Sequence, residues 1–167
     1  MKRKPRPTLN DYLATISTPR YGTGQVAGIL DLPLWRVQQF MDSPTYGLKP
    51  EGQTGSGYGS RRLFSFADLC RIAIAAQLVA HRFDTRLIGE VLQEIKDSDL
   101  HPGKWLGLRL APMGTTEVKL YDSEPSRASH YYVFPIGDVV SEIPERINRF
   151  VDELATKVIA ARKAKSE

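Results

Sequence analysis

Two sets of residues in the first half of the chain have types and spacings suited to binding a nucleotide or a nucleic acid. The first set, Gly22, Gly24 and Ala27, matches the G-x-G-x-x-[GA] pattern of a dinucleotide-binding turn. Asp42 follows at about the distance of the acidic residue that binds a ribose hydroxyl in such proteins. This set alone would indicate a nucleotide-dependent enzyme. The pattern is weak without an apolar strand before its glycines.

The second set contains side chains that can hydrogen-bond to the base edges of a DNA duplex. Arg36, Gln38 and Gln39 lie in the segment "PLWRVQQFM", which has helical periodicity. A glutamine amide on a helix in the major groove can bind adenine through two hydrogen bonds, and an arginine can bind guanine. These three residues are therefore candidates for reading a DNA sequence.

Other basic and hydroxyl-bearing residues could bind the phosphate backbone, which fixes a protein on DNA without reading sequence. One group lies in and after a glycine-rich segment and consists of Lys49, Tyr58, Arg61 and Arg62. The other group is N-terminal, and it could enter a minor groove or follow the phosphates. Its members are Lys2, Arg3, Lys4 and Arg6.

The distribution of charge favours an anionic partner for the first half of the chain. The 167 residues carry a net charge of +4, but residues 1–86 hold 12 Lys/Arg against 6 Asp/Glu. Residues 87–167 hold 11 against 13 and are mildly acidic. A basic half of this kind is typical of proteins that bind polyanions.

Composition argues against several other classes of protein. No apolar run reaches the roughly 20 residues of a membrane helix, and no apolar stretch follows the basic start as in a secretory signal. The single cysteine, Cys70, excludes internal disulfides, and the three histidines have no metal-like spacing. We therefore expect a cytoplasmic protein that contains no metal site and no cofactor.

The first half predicts a series of helices with a short strand between them. We predict a basic flexible arm over 1–20 with one short turn of helix at "LNDYLATI". A helix capped by Thr23 follows, then a left-handed turn residue at Asp31 and a second helix with Pro33 in its first turn. "RRLFSF" predicts an edge strand. Ser65 and Asp84 cap two further helices, of which the first is apolar on nearly all sides. The inward residues of the second predicted helix are Leu34, Val37 and Phe40.

The second half predicts a small sheet and one long helix. "DSDLHPG" is the best candidate for a domain boundary, dividing 21–97 from 101–167. "KWLGLRL", "TEVKLYD" and "HYYVFPIG" predict three strands, and Pro144 is expected to open a helix that continues to about Lys163. That helix could pair with its twin in a dimer or pack on its own sheet. The aromatic residues here could line an effector pocket or fill the core of the sheet: Trp105, Tyr121, Tyr131, Tyr132 and Phe134.

Residues 21–95 resemble the DNA-binding domain of the MerR family of transcriptional regulators. The matching segments are "YGTGQVAGILDLPLWRVQQF", "YGLKP", "GYGSRRLFSFADLCRI" and "HRFDTRLIGEVL". The wing motif of the family is matched by Arg62-Leu63-Phe64-Ser65 followed by Asp68-Leu69. Two features depart from the family pattern. Gln38-Gln39-Phe40 replaces an Arg-Tyr-Tyr-like run, and "DSDLHPGKW" interrupts the chain where relatives continue into a long dimer helix.

The resemblance implies a winged helix-turn-helix within an α+β, mainly α, fold, and a transcriptional regulator rather than an enzyme. It also implies a homodimer on near-palindromic double-stranded DNA, in association with a bacterial nucleoid. RNA polymerase and a small-molecule effector are further candidate partners. An architectural or excisionase-like DNA-binding protein is the alternative. A nucleotide-dependent enzyme is the remote alternative, because "ISTPRY", which contains Pro19, does not predict the strand that the dinucleotide pattern requires.

Overall fold

A computed structural model describes residues 5–50, 52–54, 61–111, 114, 116–126 and 130–164. Over these residues the chain is α+β, with six α-helices and two three-stranded antiparallel sheets. The predicted fold class is confirmed at this level. No helix in the described ranges is both long and apolar enough to cross a membrane.

The elements follow one another closely along the chain. The first part contains α1 (Leu9–Leu13), β1 (Tyr21–Gly22), α2 (Thr23–Leu30), α3 (Leu34–Asp42), β2 (Gly52–Thr54) and β3 (Arg61–Phe64). The central part contains α4 (Phe66–Ala80), α5 (Thr85–Glu94) and a 3-10 turn (Asp97–Asp99). The last part contains β4 (Trp105–Leu110), β5 (Thr116–Tyr121), β6 (Tyr132–Phe134) and α6 (Ile136–Ala164).

The segment before β1 is packed against the core, although we predicted a flexible arm with one short turn of helix. Helix α1 confirms that turn. Thr8 and Asp11 form a capping box that starts α1, with the Thr8 N–H donating to Asp11 Oδ2 over 2.7 Å. Tyr12 is buried and stacks on Phe66 with ring centroids 5.2 Å apart. The Ala67 N–H also donates to the carbonyl of Ile16 over 3.0 Å. The burial of Tyr12 and these hydrogen bonds therefore hold the segment on the core, although its composition is basic and includes prolines.

The turn between α2 and α3 has the predicted left-handed residue, but two details of the helices differ from prediction. Asp31 has φ 53° and ends α2. The cap of α2 is Gly22, not Thr23, because Gln25 Oε1 accepts the Gly22 N–H over 2.8 Å. Leu34, predicted to face inward, is 48% exposed. Leu32 in the turn packs on the core instead.

The first sheet has the strand order β1–β3–β2, so β3 is its central strand and not the predicted edge strand. Tyr21 pairs with Phe64, and Gly52 pairs with Leu63 on the other side. The sequence did not reveal β1 because it has two residues and leads directly into α2. Burial raises the pKa of the Tyr21 phenol to about 12. This sheet anchors the chain just before α2 and just before α4.

Helix α4 forms the centre of the core, as predicted. Its cap is a complete capping box in which the Ser65 N–H donates to Asp68 Oδ2 over 2.8 Å and the Asp68 N–H donates to Ser65 Oγ over 3.1 Å. Cys70 is fully buried on this helix, and burial raises the pKa of its thiol, so the thiol stays protonated. Asp84 caps α5 by accepting the Arg86 N–H, again as predicted.

The segment proposed as a domain boundary is tied to elements on both of its sides. Asp97 accepts hydrogen bonds from Ser17 over 2.7 Å and from Arg71 over 2.5 Å. Leu100 is buried in the same hydrophobic cluster as the helices. Lys104, which is 11% exposed, lies between the carboxylates of Asp99 and Asp122. Buried residues therefore continue through this segment from the first sheet to the second.

The second sheet has the order β5–β4–β6, and the three predicted strands are confirmed. Leu106 and Leu108 of the central strand are fully buried. Phe134 is also buried, and Tyr132 lies edge-on to Phe83 with ring centroids 4.6 Å apart. For Tyr132 and Phe134 these contacts favour the interpretation in which the aromatic residues fill the core of the sheet, whereas Tyr131 is 48% exposed.

Helix α6 begins eight residues before Pro144, which we predicted to be in its first turn. The residues of its first half that face α4 and β4 are buried, and their burial offsets the hydrogen bond that a proline cannot donate to the carbonyl of Val140. Ser141 Oγ donates to the carbonyl of Gly137 over 2.7 Å within the same stretch. The helix is therefore continuous for 29 residues. The buried positions are Ile136, Gly137, Val139, Val140, Ile143, Pro144 and Ile147.

Candidate nucleic-acid interface

Helix α3 has one buried face and one exposed face. Val37 and Phe40 are fully buried, as predicted, and they pack the helix on the core. Gln38 and Gln39 are exposed, and Arg36 is half-buried. The three predicted base-reading residues are therefore all on the part of α3 that the core does not cover.

The side chains at the start of α3 contact one another. The Arg36 guanidinium lies 4.5 Å from the centroid of the Trp35 ring, in a cation–π contact. Arg36 Nη1 also donates to Gln39 Oε1 over 2.9 Å. Trp35 itself is 57% exposed. The exposed face of α3 thus contains an ordered cluster of an indole, a guanidinium and an amide.

An ion pair connects α3 with the first sheet. Arg62 Nη1 of β3 lies 2.7 Å from Asp42 Oδ1 at the end of α3, and both side chains are largely exposed. An exposed pair of this kind contributes about 0–1 kcal/mol to stability. Its electrostatic effect is more important here, because Asp42 is the only acidic residue of α3 and Arg62 neutralises it. Sequence reasoning assigned Arg62 to phosphate binding and did not find this partner.

The α2–α6 cleft lies beside the same surface. It has a volume of about 760 Å³ and contains the start of α2, one side of α3, the guanidinium of Arg62 and two apolar residues of α6. Its lining residues are Gly22, Thr23, Gly24, Gln25, Gln38, Asp42, Arg62, Phe150 and Leu154. The cleft therefore joins two of the predicted DNA-binding residues to the C-terminal helix.

Helix α6 crosses α2 at Gly28, where the absence of a side chain allows the two helices to approach closely. A Cβ at Gly28 would lie 2.3 Å from Cε2 of Phe150, so the contact requires glycine or a shift of the phenyl ring. Asp31 at the end of α2 lies near Glu142 and Arg146, whereas Gly24 at its start lies near Leu154. The two helices are therefore antiparallel, and α6 continues beyond the start of α2. Gly28 has a packing role that sequence reasoning did not assign to it.

The second half of α6 has an exposed apolar face. All residues from 151 to 164 are exposed, and four large apolar side chains among them are between 41% and 58% exposed. They are Val151, Leu154, Val158 and Ile159. The helical periodicity of this segment was predicted correctly, but no residue of the described chain covers the face.

The remaining predicted residues are not gathered around α3. Lys49 is exposed but lies near Tyr46, Arg71 and Gln93, on the side of the molecule where α5 ends. Arg6 forms an exposed ion pair of 2.7 Å with Asp152 of α6. The other candidates lie outside the described residues or, for Arg61, have no described side chain: Lys2, Arg3, Lys4, Tyr58 and Arg61.

Several groups in this region were missed from the sequence. For Trp35 the sequence left two interpretations open, stacking on a sugar–phosphate edge or covering the domain's own core, and the 57% exposure of the side chain does not fit the second. Asp42 was considered only as a ribose ligand. The contact between Gly28 and Phe150 joins residues more than a hundred positions apart, so no local pattern could have revealed it.

The dinucleotide interpretation receives no support from the geometry of the glycines. Strand β1 pairs antiparallel with β3, and both sheets in the described ranges are antiparallel, whereas a dinucleotide-binding turn joins a parallel strand to its helix.

No family model matches the chain, and a search of curated proteins finds no significant match.

Proposed function

We propose that this chain is a sequence-specific DNA-binding transcriptional regulator of the MerR type. In this proposal α2 and α3 form the helix-turn-helix, and the sheet β1–β3–β2 forms the wing. The observation that carries the proposal is the uncovered face of α3, on which Arg36, Gln38 and Gln39 lie. Arg62 of β3 adjoins this face beside Gln38 and Asp42. Amides and guanidinium groups on an exposed helix are the side chains that read base edges in a major groove.

The electrostatics of this surface also support the proposal. The carboxylate of Asp42 is paired with Arg62, so α3 brings no unbalanced negative charge towards a phosphate backbone. The start of α2 lies at the same surface and carries the positive end of the helix dipole. Both features favour a polyanion, in agreement with the excess of Lys and Arg in residues 1–86.

We further propose that the protein acts as a homodimer on a near-palindromic site and that the exposed apolar face of α6 forms the dimer contact. The support is the row of four exposed apolar side chains on a helix that already passes α2 and α3. Two copies related by a two-fold axis would bring two α3 helices to half-sites about one DNA turn, or about 34 Å, apart.

The experiment is a selection of tight-binding duplexes from a random-sequence pool, followed by titration of the selected duplex and a scrambled control. We expect enrichment of an inverted repeat and an affinity that falls with salt in a linear log–log plot. Enrichment of direct repeats bound by a monomer would favour the architectural alternative. If no duplex binds even at low salt, the proposed function is wrong.

A further inference from the structure

A hydrogen bond within the cluster of Trp35, Arg36 and Gln39 on α3 affects which bases the helix would read. Gln39 Oε1 already accepts a hydrogen bond from Arg36, 2.9 Å away. Bidentate recognition of adenine uses the oxygen of an amide for the adenine N6 amino group and its nitrogen for N7. That bond turns the oxygen towards Arg36 and occupies one of its two lone pairs, whereas both amide N–H groups of Gln39 stay available.

The other two members of the cluster, Trp35 and Arg36, contain no acceptor. A guanidinium has only N–H donors, and those of Arg36 that do not bond to Gln39 remain available. The indole of Trp35 adds a large apolar surface beside them, held by the cation–π contact. The cluster thus combines donors with an apolar surface on a single turn of the helix.

We propose that Trp35, Arg36 and Gln39 form one specificity-determining unit that reads a guanine next to a thymine. This inference rests on the proposed function of the same surface. Guanine offers two acceptors in the major groove, N7 and O6, which Arg36 can bind. Thymine offers the acceptor O4 and a C5-methyl group, which Gln39 and Trp35 can contact respectively. Adenine and cytosine both present an amino donor, and the one acceptor of the unit, Gln39 Oε1, is already held by Arg36.

DNA is the occupant that fits this surface better than a second protein surface. Trp35 and Leu34 are exposed apolar residues, but they lie beside the cation of Arg36, and the only carboxylate of α3 is neutralised by Arg62. The surface is therefore cationic and complements a polyanion. The apolar face of α6, in contrast, has four large aliphatic side chains in a row.

The test measures binding to the duplex selected by the full chain and to two modified forms of it, in each of which one atom or one group is changed. Replacing thymine by deoxyuridine removes only the methyl group, and replacing guanine by 7-deazaguanine removes only the N7 acceptor. We expect the first change to weaken wild-type binding several-fold and the second about tenfold. Trp35→Ala should be insensitive to the first change, and Arg36→Ala to the second.

Tyr131→Ala is the matched control, since Tyr131 is an aromatic residue of similar exposure that lies just before β6, in the other half of the chain. It should retain the wild-type response to both modified duplexes. Equal responses of wild type, Trp35→Ala and Arg36→Ala would overturn the unit while leaving DNA binding intact. Conversion of a dimer to a monomer by Trp35→Ala would also overturn it, because the indole would then cover a second copy. Absence of binding to any duplex would overturn both this inference and the proposed function.

Discussion

Two surfaces of the molecule are left uncovered, and they differ in chemistry. The exposed face of α3 carries amides, a guanidinium and one indole, and its carboxylate is neutralised. The exposed face of the second half of α6 carries four large aliphatic residues. The first surface suits hydrogen bonds to base edges, whereas the second would gain most from burial against another apolar surface.

Exposure alone does not identify the partner that a surface binds. Both helices have apolar periodicity, and both have a buried part that fixes them to the core through residues such as Val37 and Ile147. What distinguishes them is which groups remain outside the core. The two surfaces meet at the α2–α6 cleft, so a dimer formed through α6 would also set the position of its two α3 helices.

The largest effect is expected from breaking the apolar face of α6. Replacing Leu154 and Val158 together by Glu puts two charges where the proposed dimer contact lies. We expect sedimentation to change from a dimer to an 18.7 kDa monomer. Affinity for the selected inverted repeat should fall by a factor on the order of 100 or more, because the two half-sites lose their linkage.

Thr156→Glu is the control for this pair, because Thr156 lies on the opposite side of the same exposed helix segment. It should leave both the mass and the affinity unchanged. A double variant that remained a dimer with full affinity would contradict the role of the α6 face.

The next effect is expected from the face of α3. Gln38 makes no contact with the Trp35 cluster, so Gln38→Ala tests base reading alone. We expect a loss of about 1–3 kcal/mol on the selected duplex, which is roughly 5- to 150-fold, and little change on a scrambled duplex. Gln93→Ala, an exposed glutamine on α5, is the matched control. Equal losses on both duplexes would indicate that Gln38 contributes only non-specific contacts.

A change inside the folded body should affect neither surface. Asp97 is partly buried, and this burial alone would raise the pKa of its carboxyl group, but hydrogen bonds from Ser17 and Arg71 hold the pKa below 3.8. Its contribution to stability is therefore complete well above pH 3.8 and is lost as the pH falls through the folded-state pKa. We expect Asp97→Asn to lower the free energy of unfolding by about 1–2 kcal/mol at neutral pH.

Chemical denaturation at several pH values checks this prediction, with wild type and variant converging in acid. DNA affinity and dimer mass should be unchanged under conditions where Asp97→Asn is fully folded. A difference in stability that persisted unchanged in strong acid would show that the ionised carboxylate is not its source.

The smallest effect is expected at the ion pair between α3 and the first sheet. Asp42→Asn removes a negative charge and frees Arg62, so affinity for any duplex should rise a few-fold and the log–log salt slope should steepen by about one. Arg62→Ala should weaken binding to all sequences and make the slope shallower by about one. Salt titrations on the scrambled duplex measure both. Unchanged slopes in both variants would remove this pair from the DNA-binding surface.

The parts of the fold that the sequence predicted correctly are those that depend on neighbouring residues. Asp31 at the turn and the capping residues Ser65 and Asp84 all act on backbone groups within a few positions. The errors at Leu34 and Pro144 arose because tertiary packing decides which apolar residues are buried and where a helix can begin. The central position of β3 likewise depends on pairing with a two-residue strand.

The sequence predicted which residues could form the candidate site, but it did not predict how they are arranged in space. Arg36, Gln38 and Gln39 could be assigned to one helix from periodicity alone. Their relation to Arg62, Asp42 and Phe150 depends on contacts between residues distant in sequence. Lys49 shows this limit of prediction from sequence, because its charge suggested a DNA contact whereas the fold brings it near α5.

The most direct test of the central claim is to map the bound duplex on the protein. Amide chemical shifts of the isotope-labelled chain would be followed by NMR during titration with the selected duplex. We predict the largest changes in α3, over residues 34–42, and in β3, over residues 61–64, with smaller changes at the start of α2. Changes concentrated in β4, β5 and β6, or no changes at all, would contradict DNA binding through α3.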